Sequence, residues 1–579
     1  MAGCFQRKGE GYGIRIGKNS FQQVWLLFAV SINQEDGCLY LRDLHGGDET
    51  CSDIYEMRFP EIGERQRFIR TESELMWFRE GQAECWLKIC MDRDGRVHFL
   101  ADGLVLELHA RGGRYDTLVP LDERRMEHHF YKKQRKFLFT CLQGRITQTQ
   151  QWDVVGSRDA VISVCGKNAE GAPLRTHCVL ESYRCVGTKQ EYPSYEEAHK
   201  ETKEAFDAWE RQFRGPNRVF EESRRLAAYL TWANFVPANG FLTHDAMYMS
   251  KNWMFNIWSW DNCFGGIALS RVQPKLAWGQ LKIFMDNQDS CGVYADYINE
   301  AGASFNCTKP PIHAWAFQKM SAQNAFFLQK EIQEEAYESF CRVTDYWLCC
   351  RRTPGAVMPV YFHGNDSGWD NASVFHRGFP VESPDLSAFL IYQMDVLSRM
   401  AQELHRPEES AAWKKKADEM YGRFFERFFI NGRLCAWYTP ERQQIMEGDS
   451  LLMYMPLQIA YRMEKKTADE LVRQMLERFE TPYGLATENP RSEYYKTGGY
   501  WLGPVWAPVM YLMIDALRDN GYEQEARRLA EKFCRVTQIG LMSENYDPFT
   551  GDGYDDPAFS WPSCVLLQLL WEYPDLGEE

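Results

Sequence analysis

Two stretches of this chain combine acids and an indole on a loop that glycines loosen. The first, GNDSGWDNASVF at 364–375, places Asp366 and Asp370 around Trp369, with Gly364 before them and Gly368 between them. The second, SENYDPFTGDGYDDPAFSW at 543–561, opens on Glu544 and closes on Trp561. Breaking a glycosidic bond needs two carboxyl groups. One, protonated, gives its proton to the leaving oxygen; the other, ionised, activates water or attacks the sugar. Such a pair can lie far apart in sequence, so no local spacing rule finds it. Asp261, Asp366, Asp370, Glu382, Glu488, Glu493, Glu544, Asp547 and Asp552 all compete. Most acids in such places cap helices, form turns or face water. Context favours two. Trp369 offers Asp370 an apolar wall that would raise its pKa and keep it protonated. Glu544 borders a loop rich in Gly and Asp, where solvent would keep it ionised and able to hold a water.

Other chemistries find less support. His363 and His376 flank the first loop with no HxxxH or HxH partner, so no metal site is expected. GDGYDD at 551–556 departs from the twelve-residue calcium loop and reads as a turn. There is no GxSxG, no P-loop and no GxGxxG before a helix, and no cofactor is expected.

The elements that must position these loops change character along the chain. Up to about residue 200 the sequence runs in short alternating or β-branched stretches, such as FQQVWLLFAVSI at 21–32, RVHFLADGLVLELHA at 96–110 and RITQTQQWDVV at 145–155. These read as strands of an antiparallel sandwich. Beyond it, apolar residues recur every three to four positions. About twelve helices are expected, centred near 228, 266, 281, 321, 342, 394, 418, 455, 472, 510, 530 and 565. An even number near twelve suits a closed ring of inner and outer helices, an (α/α)6 barrel. An open solenoid would show a repeat of about 34 or 40 residues, which is lacking. The expected organisation is therefore mainly α: a β-sandwich domain over 1–200, a linker over 201–218, and an (α/α)6 barrel over 219–579. MYMSKNWMFNIWSWDNCF at 247–264, NEAGASFNCTKPPIHAW at 299–315 and TGGYWLGPVWAP at 497–508 join the two acid loops in preceding helices. A ring of helices would bring all five to one mouth.

The bulk composition narrows the partners. The net charge is −15, and KKQRK at 132–136 is too short to make a basic patch, so nucleic acid is not expected. No apolar run reaches about 18 residues, and MAGCFQRKGEGYG lacks a signal-type segment, so no membrane is expected. The 18 cysteines form no CxxC pair; they read as reduced thiols, and the expected compartment is cytoplasmic. The 19 Trp, 29 Tyr and 35 Phe exceed what a core needs and suit a cleft that stacks sugar rings. The oligomeric state is not legible.

Taken together, the motifs resemble glycoside hydrolase family 63 and the related trehalases. SGWDNAS resembles the general-acid motif, with its Ser-Gly-Trp-Asp core. KPPIHAW at 309–315 and YWLGPVW at 500–506 resemble two further family segments. ENYDP followed by Gly and FSW resembles the general-base region, and WSWDNCF at 258–264 the start of the barrel. The five follow the family's order over about residues 220–570. The resemblance implies an (α/α)6 barrel behind a β-rich domain, and an inverting α-glycosidase of the bacterial type. An α-glucosidase acting on a short oligosaccharide or glycoside is expected. It implies Asp370 as general acid and Glu544 as general base, roughly 6.5–9.5 Å apart to admit a water. Trp258, Asp261, Trp315, Trp369, Trp501 and Trp506 would line the sugar pocket, with Arg377, Tyr546 and Trp561 nearby. Two departures stand out. Pro562 occupies a helix start where small residues are common, and the acid motif of the eukaryotic processing glucosidases is missing. Two alternatives stay open: a sugar phosphorylase on the same barrel, and a glycan-binding protein without catalysis.

Overall fold

The computed structural model describes residues 21–577, apart from 23–26, 33–37, 49, 51, 61–65, 80–81 and 188–190. The segment 1–13, and part of the expected strand at 21–32, lie outside the described residues. The chain divides into two compact units: Met1–Leu44 with Cys51–Arg211, and His45–Thr50 with Gln212–Glu579.

The first unit holds two antiparallel sheets, of seven and eight strands among the described residues. Alternation decides which side chains face inward. In Arg125–Phe130 (RMEHHF) Met126, His128 and Phe130 are buried, and their neighbours are half-exposed. One core takes Val30, Leu41, Tyr55, Leu108 and Val164 from the seven-stranded sheet, and Ile89, Phe99, Phe137, Phe139 and Leu180 from the eight-stranded one. Residues 201–210, expected as linker, are helical. They continue α1 (Tyr195–Glu210), which Ser194 and Glu197 start with a reciprocal capping box.

The second unit contains α2 (Glu221–Ala233), α3 (Asp261–Ser270), α4 (Pro274–Asp286), α5 (His313–Gln323), α6 (Lys330–Cys350) and the single-turn α7 (Gly364–Ser367). It continues with α8 (Pro384–Glu403), α9 (Pro407–Phe428), a 3-10 segment (Leu451–Arg462), α10 (Lys465–Phe479), α11 (Ala507–Asp519), α12 (Glu523–Gly540) and α13 (Ser560–Glu572). Each helix centre expected from periodicity falls on or beside one of these elements; α7 is too short to show a period. The stretch near 455 is 3-10 because Pro456 withholds an N–H and Ile459 leaves helical geometry. Pro562 sits in the first turn of α13, where a missing N–H costs little.

Two populations of helix follow from apolar patterning. Every residue of α3 is buried, and so are most of α8, α11 and α13. Helices apolar on all sides belong in an interior. By contrast, α9, α10 and α12 bury one stripe and expose the rest. In contact, α3 packs on α5, α5 on α8, α8 on the 3-10 segment, that segment on α11, α11 on α13, and α13 again on α3. The remaining helices pack on these: α2 on α13, α4 on α3, α6 and α9 on α8, α10 on the 3-10 segment and α12 on α11.

Candidate active site

The acids and indoles gather at the N-terminal ends of the buried helices. Asp261 is the first residue of α3 and Trp561 the second of α13. The Asp370 loop precedes α8, the Trp501–Trp506 segment leads into α11, and Glu544 lies before α13. Short strands fix their neighbours. Trp506 pairs with Asn545, which sets it beside Glu544, and Trp258 pairs with Tyr297.

The Asp370 loop is shaped by α7. Gly368 ends that turn at φ +72°, a left-handed position that glycine adopts without strain. A Cβ on Gly368 would come within 2.5 Å of the Trp260 ring. Close packing on Trp260 therefore needs the glycine of Ser-Gly-Trp-Asp. Beneath the loop Asp366 is saturated. It accepts the N–H groups of Thr308 (3.0 Å), Phe362 (2.9 Å) and His363 (3.1 Å), and pairs with Arg351 at 2.7 Å. The Asp370 carboxyl differs. It is half-buried and makes no hydrogen bond or ion pair among the described residues. Its charge acts on Asp261, Asp296, Lys309 and Tyr500.

Glu544 has a different setting. It is 3% exposed, and the indoles of Trp506 and Trp561 meet beside it with centroids 5.5 Å apart. The Tyr500 hydroxyl donates to Glu544 Oε1 at 3.0 Å, and Trp561 Nε1 donates to its backbone carbonyl at 3.2 Å. Burial, reinforced by the charges of Asp555 and Asp556, pushes the Glu544 carboxyl up to about 8; the Tyr500 hydrogen bond works against that rise. The expectation of a solvated, readily ionised Glu544 is thus corrected. The Gly/Asp-rich turn closes on itself, with Asp547 accepting the N–H groups of Phe549 and Thr550 at 2.8 Å. Tyr500 has φ +64°, a strained value for an aromatic residue, beside the acid it holds.

The aromatic wall is continuous. Trp369 meets Trp501 at 4.9 Å, and Trp501 stacks on Trp506 at 3.9 Å and 8°. Trp260 touches both Trp501 (6.3 Å) and Trp561 (6.0 Å). Trp369, Trp501, Trp506 and Trp561 are therefore brought together with Glu544. Trp260 and Tyr500 complete the wall. Both stand inside quoted motifs, WSWDNCF and YWLGPVW, yet nothing local sets them apart from their aromatic neighbours. Trp258 lies tilted against Tyr297, with ring centroids 5.9 Å apart.

Three expected residues sit elsewhere. Trp315 donates to Asp515, more than two turns into α11, at 2.8 Å and packs on Phe264 and Tyr511. It is a tie between helices. Tyr546 turns into the core, with its hydroxyl on the Leu541 carbonyl at 2.8 Å and its ring against Phe533. Arg377 is held away by Glu441 at 3.0 Å and Glu447 at 3.5 Å.

Saturation separates scaffold acids from the rest. Glu382 accepts from the Val357 and Met358 N–H groups and from Arg427. Glu488 accepts from Ser373, Ser492 and the Asp449 N–H. Asp261 is 6% exposed, yet its Oδ2 has no hydrogen-bond partner. Burial raises it to about 8; Lys309 opposes the rise, and Asp296 and Asp370 add to it. Among the described residues, no group of three or more His, Cys, Asp or Glu is arranged to hold a metal ion. His363 caps α7, accepting the Asn365 N–H at 3.1 Å.

Acids of unequal burial gather with a tryptophan wall at the starts of buried helices. The family follows from sequence. A family model described as the mannosylglycerate hydrolase MGH1-like glycoside hydrolase domain matches residues 254–562, more than half of the chain. The chain belongs to that family, and the resemblance to glycoside hydrolase family 63 holds. A mannosylglycerate hydrolase of Rubrobacter radiotolerans is 24% identical over 417 residues, covering 54% of this chain and 90% of that protein. A glucosylglycerate hydrolase of Mycolicibacterium hassiacum is 32% identical over 89 residues, 15% of this chain and 20% of that one. In structure, the family 63 mannosylglycerate hydrolase of Thermus thermophilus, in complex with Tris and D-glycerate, superposes with a TM-score of 0.54 at 18% identity. That match covers 60% of this chain and all of the other. At such identity it shows a shared fold. No helix among the described residues is long and apolar enough to cross a membrane.

Proposed function

We propose that this chain is an inverting hydrolase of a short α-glycoside, with Asp370 as general acid and Glu544 as general base. The cycle of buried helices is read as an (α/α)6 barrel, and the two sheets of the first unit as a β-sandwich. The substrate class best supported is an α-mannosyl or α-glucosyl derivative of a small hydroxy acid such as glycerate. This refines the expected α-glucosidase, because the named relatives hydrolyse mannosylglycerate and glucosylglycerate. Exposed thiols at Cys185, Cys291, Cys349 and Cys350 support a reducing compartment such as the cytoplasm.

One observation carries the reading: Asn371, next to Asp370, hydrogen-bonds Gly499 and Trp501 on either side of Tyr500, whose hydroxyl donates to Glu544. In this mechanism Asp370, unengaged by other side chains, gives its proton to the glycosidic oxygen. Glu544 takes a proton from water on the opposite face of the sugar, and that water attacks the anomeric carbon. No bond to the protein forms. Burial holds the Glu544 proton up to about 8, so the base must release that proton before it can take one from water.

The test is NMR of the first-formed sugar during hydrolysis of α-mannosyl and α-glucosyl glycerates. The β anomer is expected; the α anomer would exclude direct attack by water. Turnover only with added phosphate would make it a phosphorylase. Tight sugar binding without turnover across the panel would make it a binding protein.

A further inference from the structure

The first unit carries a cleft of about 480 Å³ that the proposed mechanism leaves unused. Its floor is the outward face of the eight-stranded sheet. Along the strand Gln82–Met91, Leu87 and Ile89 turn into the core, so alternation sends Trp86 and Lys88 to the other face. Met76, Lys88 and Leu100 stand abreast there, paired across three neighbouring strands. Helix α1 covers one side of this face. Its Tyr195 and Ala198 seal Cys90 and Leu100, and Trp86 packs against that cluster. Trp86 and Met76 are nevertheless only half-buried, and the cleft lies between them and the start of α1, which lines it with Glu196 and His199. A sheet face turned to water usually alternates to polar residues. Here an indole and a thioether line the opening, as they do where a small molecule is covered.

The charges around the indole select that molecule. The Lys88 ammonium lies 5.5 Å and the Arg175 guanidinium 5.9 Å from the centroid of the Trp86 ring. Contact stacking brings atoms to about 3.5–4.0 Å, so both cations stand off the ring. Each already has an acid: Lys88 is 3.5 Å from Glu74, and Arg175 is 2.6 Å from Glu196. Glu74 also accepts from the Tyr195 hydroxyl at 3.1 Å. An anion entering the cleft would compete with Glu74 and Glu196, and a cation with Lys88 and Arg175. The match is a neutral molecule with one apolar face and a rim of groups that both donate and accept. A sugar ring fits: its C–H face lies on an indole, and its hydroxyls accept from the cations and donate to the carboxylates. We propose that this cleft binds a neutral saccharide, stacked on Trp86 and hydrogen-bonded at the rim by Lys88, Glu74 and Arg175. Every residue of the cleft belongs to the first unit, and binding there does not require turnover by the second.

The experiment is fluorine NMR of the full chain labelled with 5-fluorotryptophan, in which the Trp86 signal is the one missing from Trp86→Phe. D-Glucose, D-mannose, D-galactose and cellobiose are titrated in turn. At least one should shift the Trp86 signal saturably, with a Kd of about 1–10 mM for a ligand of this size. The double variant Lys88→Met/Glu74→Gln removes both members of one pair, so that neither charge is left alone. It should weaken that Kd on the order of 10-fold, with the circular dichroism of wild type. Should it not fold, Arg175→Met, whose side chain is 46% exposed, carries the same expectation. A Trp86 signal unmoved by all four saccharides would overturn the proposal, even where other tryptophan signals move. So would a wild-type Kd in the folded variant. A Trp86 shift driven by sodium sulfate alone would make the cleft an anion site, and one that follows protein concentration alone would give it to a second copy; either result overturns the proposal.

Discussion

The Asp370 loop and the Glu544 loop place the same functional group by opposite means. Polar bonds to the backbone hold the first: a saturated Asp366, Arg351 beside it and Lys309 against Asn365. The Asp370 carboxyl is left half-buried and unengaged. Indoles enclose the second and force Glu544 to 3% exposure, with one tyrosine hydroxyl on its carboxylate. The difference teaches that a Trp next in sequence to an acid does not determine how deeply the acid is buried. Trp369 turns its ring to Trp501. The residues that bury Glu544 come from positions up to 44 away, as with Tyr500.

The largest way to break this comparison is to remove each carboxyl. Asp370→Asn and Glu544→Gln should each lower kcat by about 10²–10⁴-fold with the fold intact, measured by steady-state kinetics and circular dichroism. Unchanged kcat in either variant removes that acid from the mechanism. Next is the polar loop's own hinge. Gly368→Ala must accept a left-handed φ and push on Trp260, at a cost of about 2–5 kcal/mol by chemical denaturation. Loss of activity should accompany it as Trp369 and Asp370 shift. Smaller, and aimed at the aromatic loop, is Tyr500→Phe. Deleting the hydroxyl removes the hydrogen bond that favours ionised Glu544. The titration of the Glu544 carboxyl, followed by NMR of the labelled side chain, should then move upward. An unmoved titration would mean that another group sets it.

The smallest effect is on stability. In the folded state the Glu544 pKa is raised from its ordinary value of 4.5 to about 8. Its contribution is therefore present below the unfolded value and lost as pH rises through about 8. Glu544→Gln should gain in melting temperature over wild type by a few kelvin more at pH 9 than at pH 6. Equal differences at both pH values would place the carboxyl in contact with solvent.

Much of this arrangement is legible in the chain. Helix positions follow from apolar period, because each buried helix must fill its surroundings and each outer helix must show one face to water. The acid loops are legible because glycine, acid and indole crowd into few residues. Their partners are less so. Trp315 lies two residues after His313, where α5 starts, and only the fold shows that its indole reaches Asp515 instead of a sugar. Lys309 and Asp296 carry no local signal, since a lysine before Pro-Pro reads as a surface residue until Asn365 and Asp296 enclose it. The ionisation of Glu544 escapes a sequence reading for the same reason: desolvation is set by neighbours remote in sequence.

The most direct measurement is a crystal structure of Glu544→Gln soaked with the glycoside that the wild type cleaves. It should show the anomeric carbon between the two side chains, with Asp370 in hydrogen-bond reach of the glycosidic oxygen and a water beside the substituted amide at position 544. A sugar bound with residues 370 and 544 on the same side of its ring, or away from both, would contradict the account.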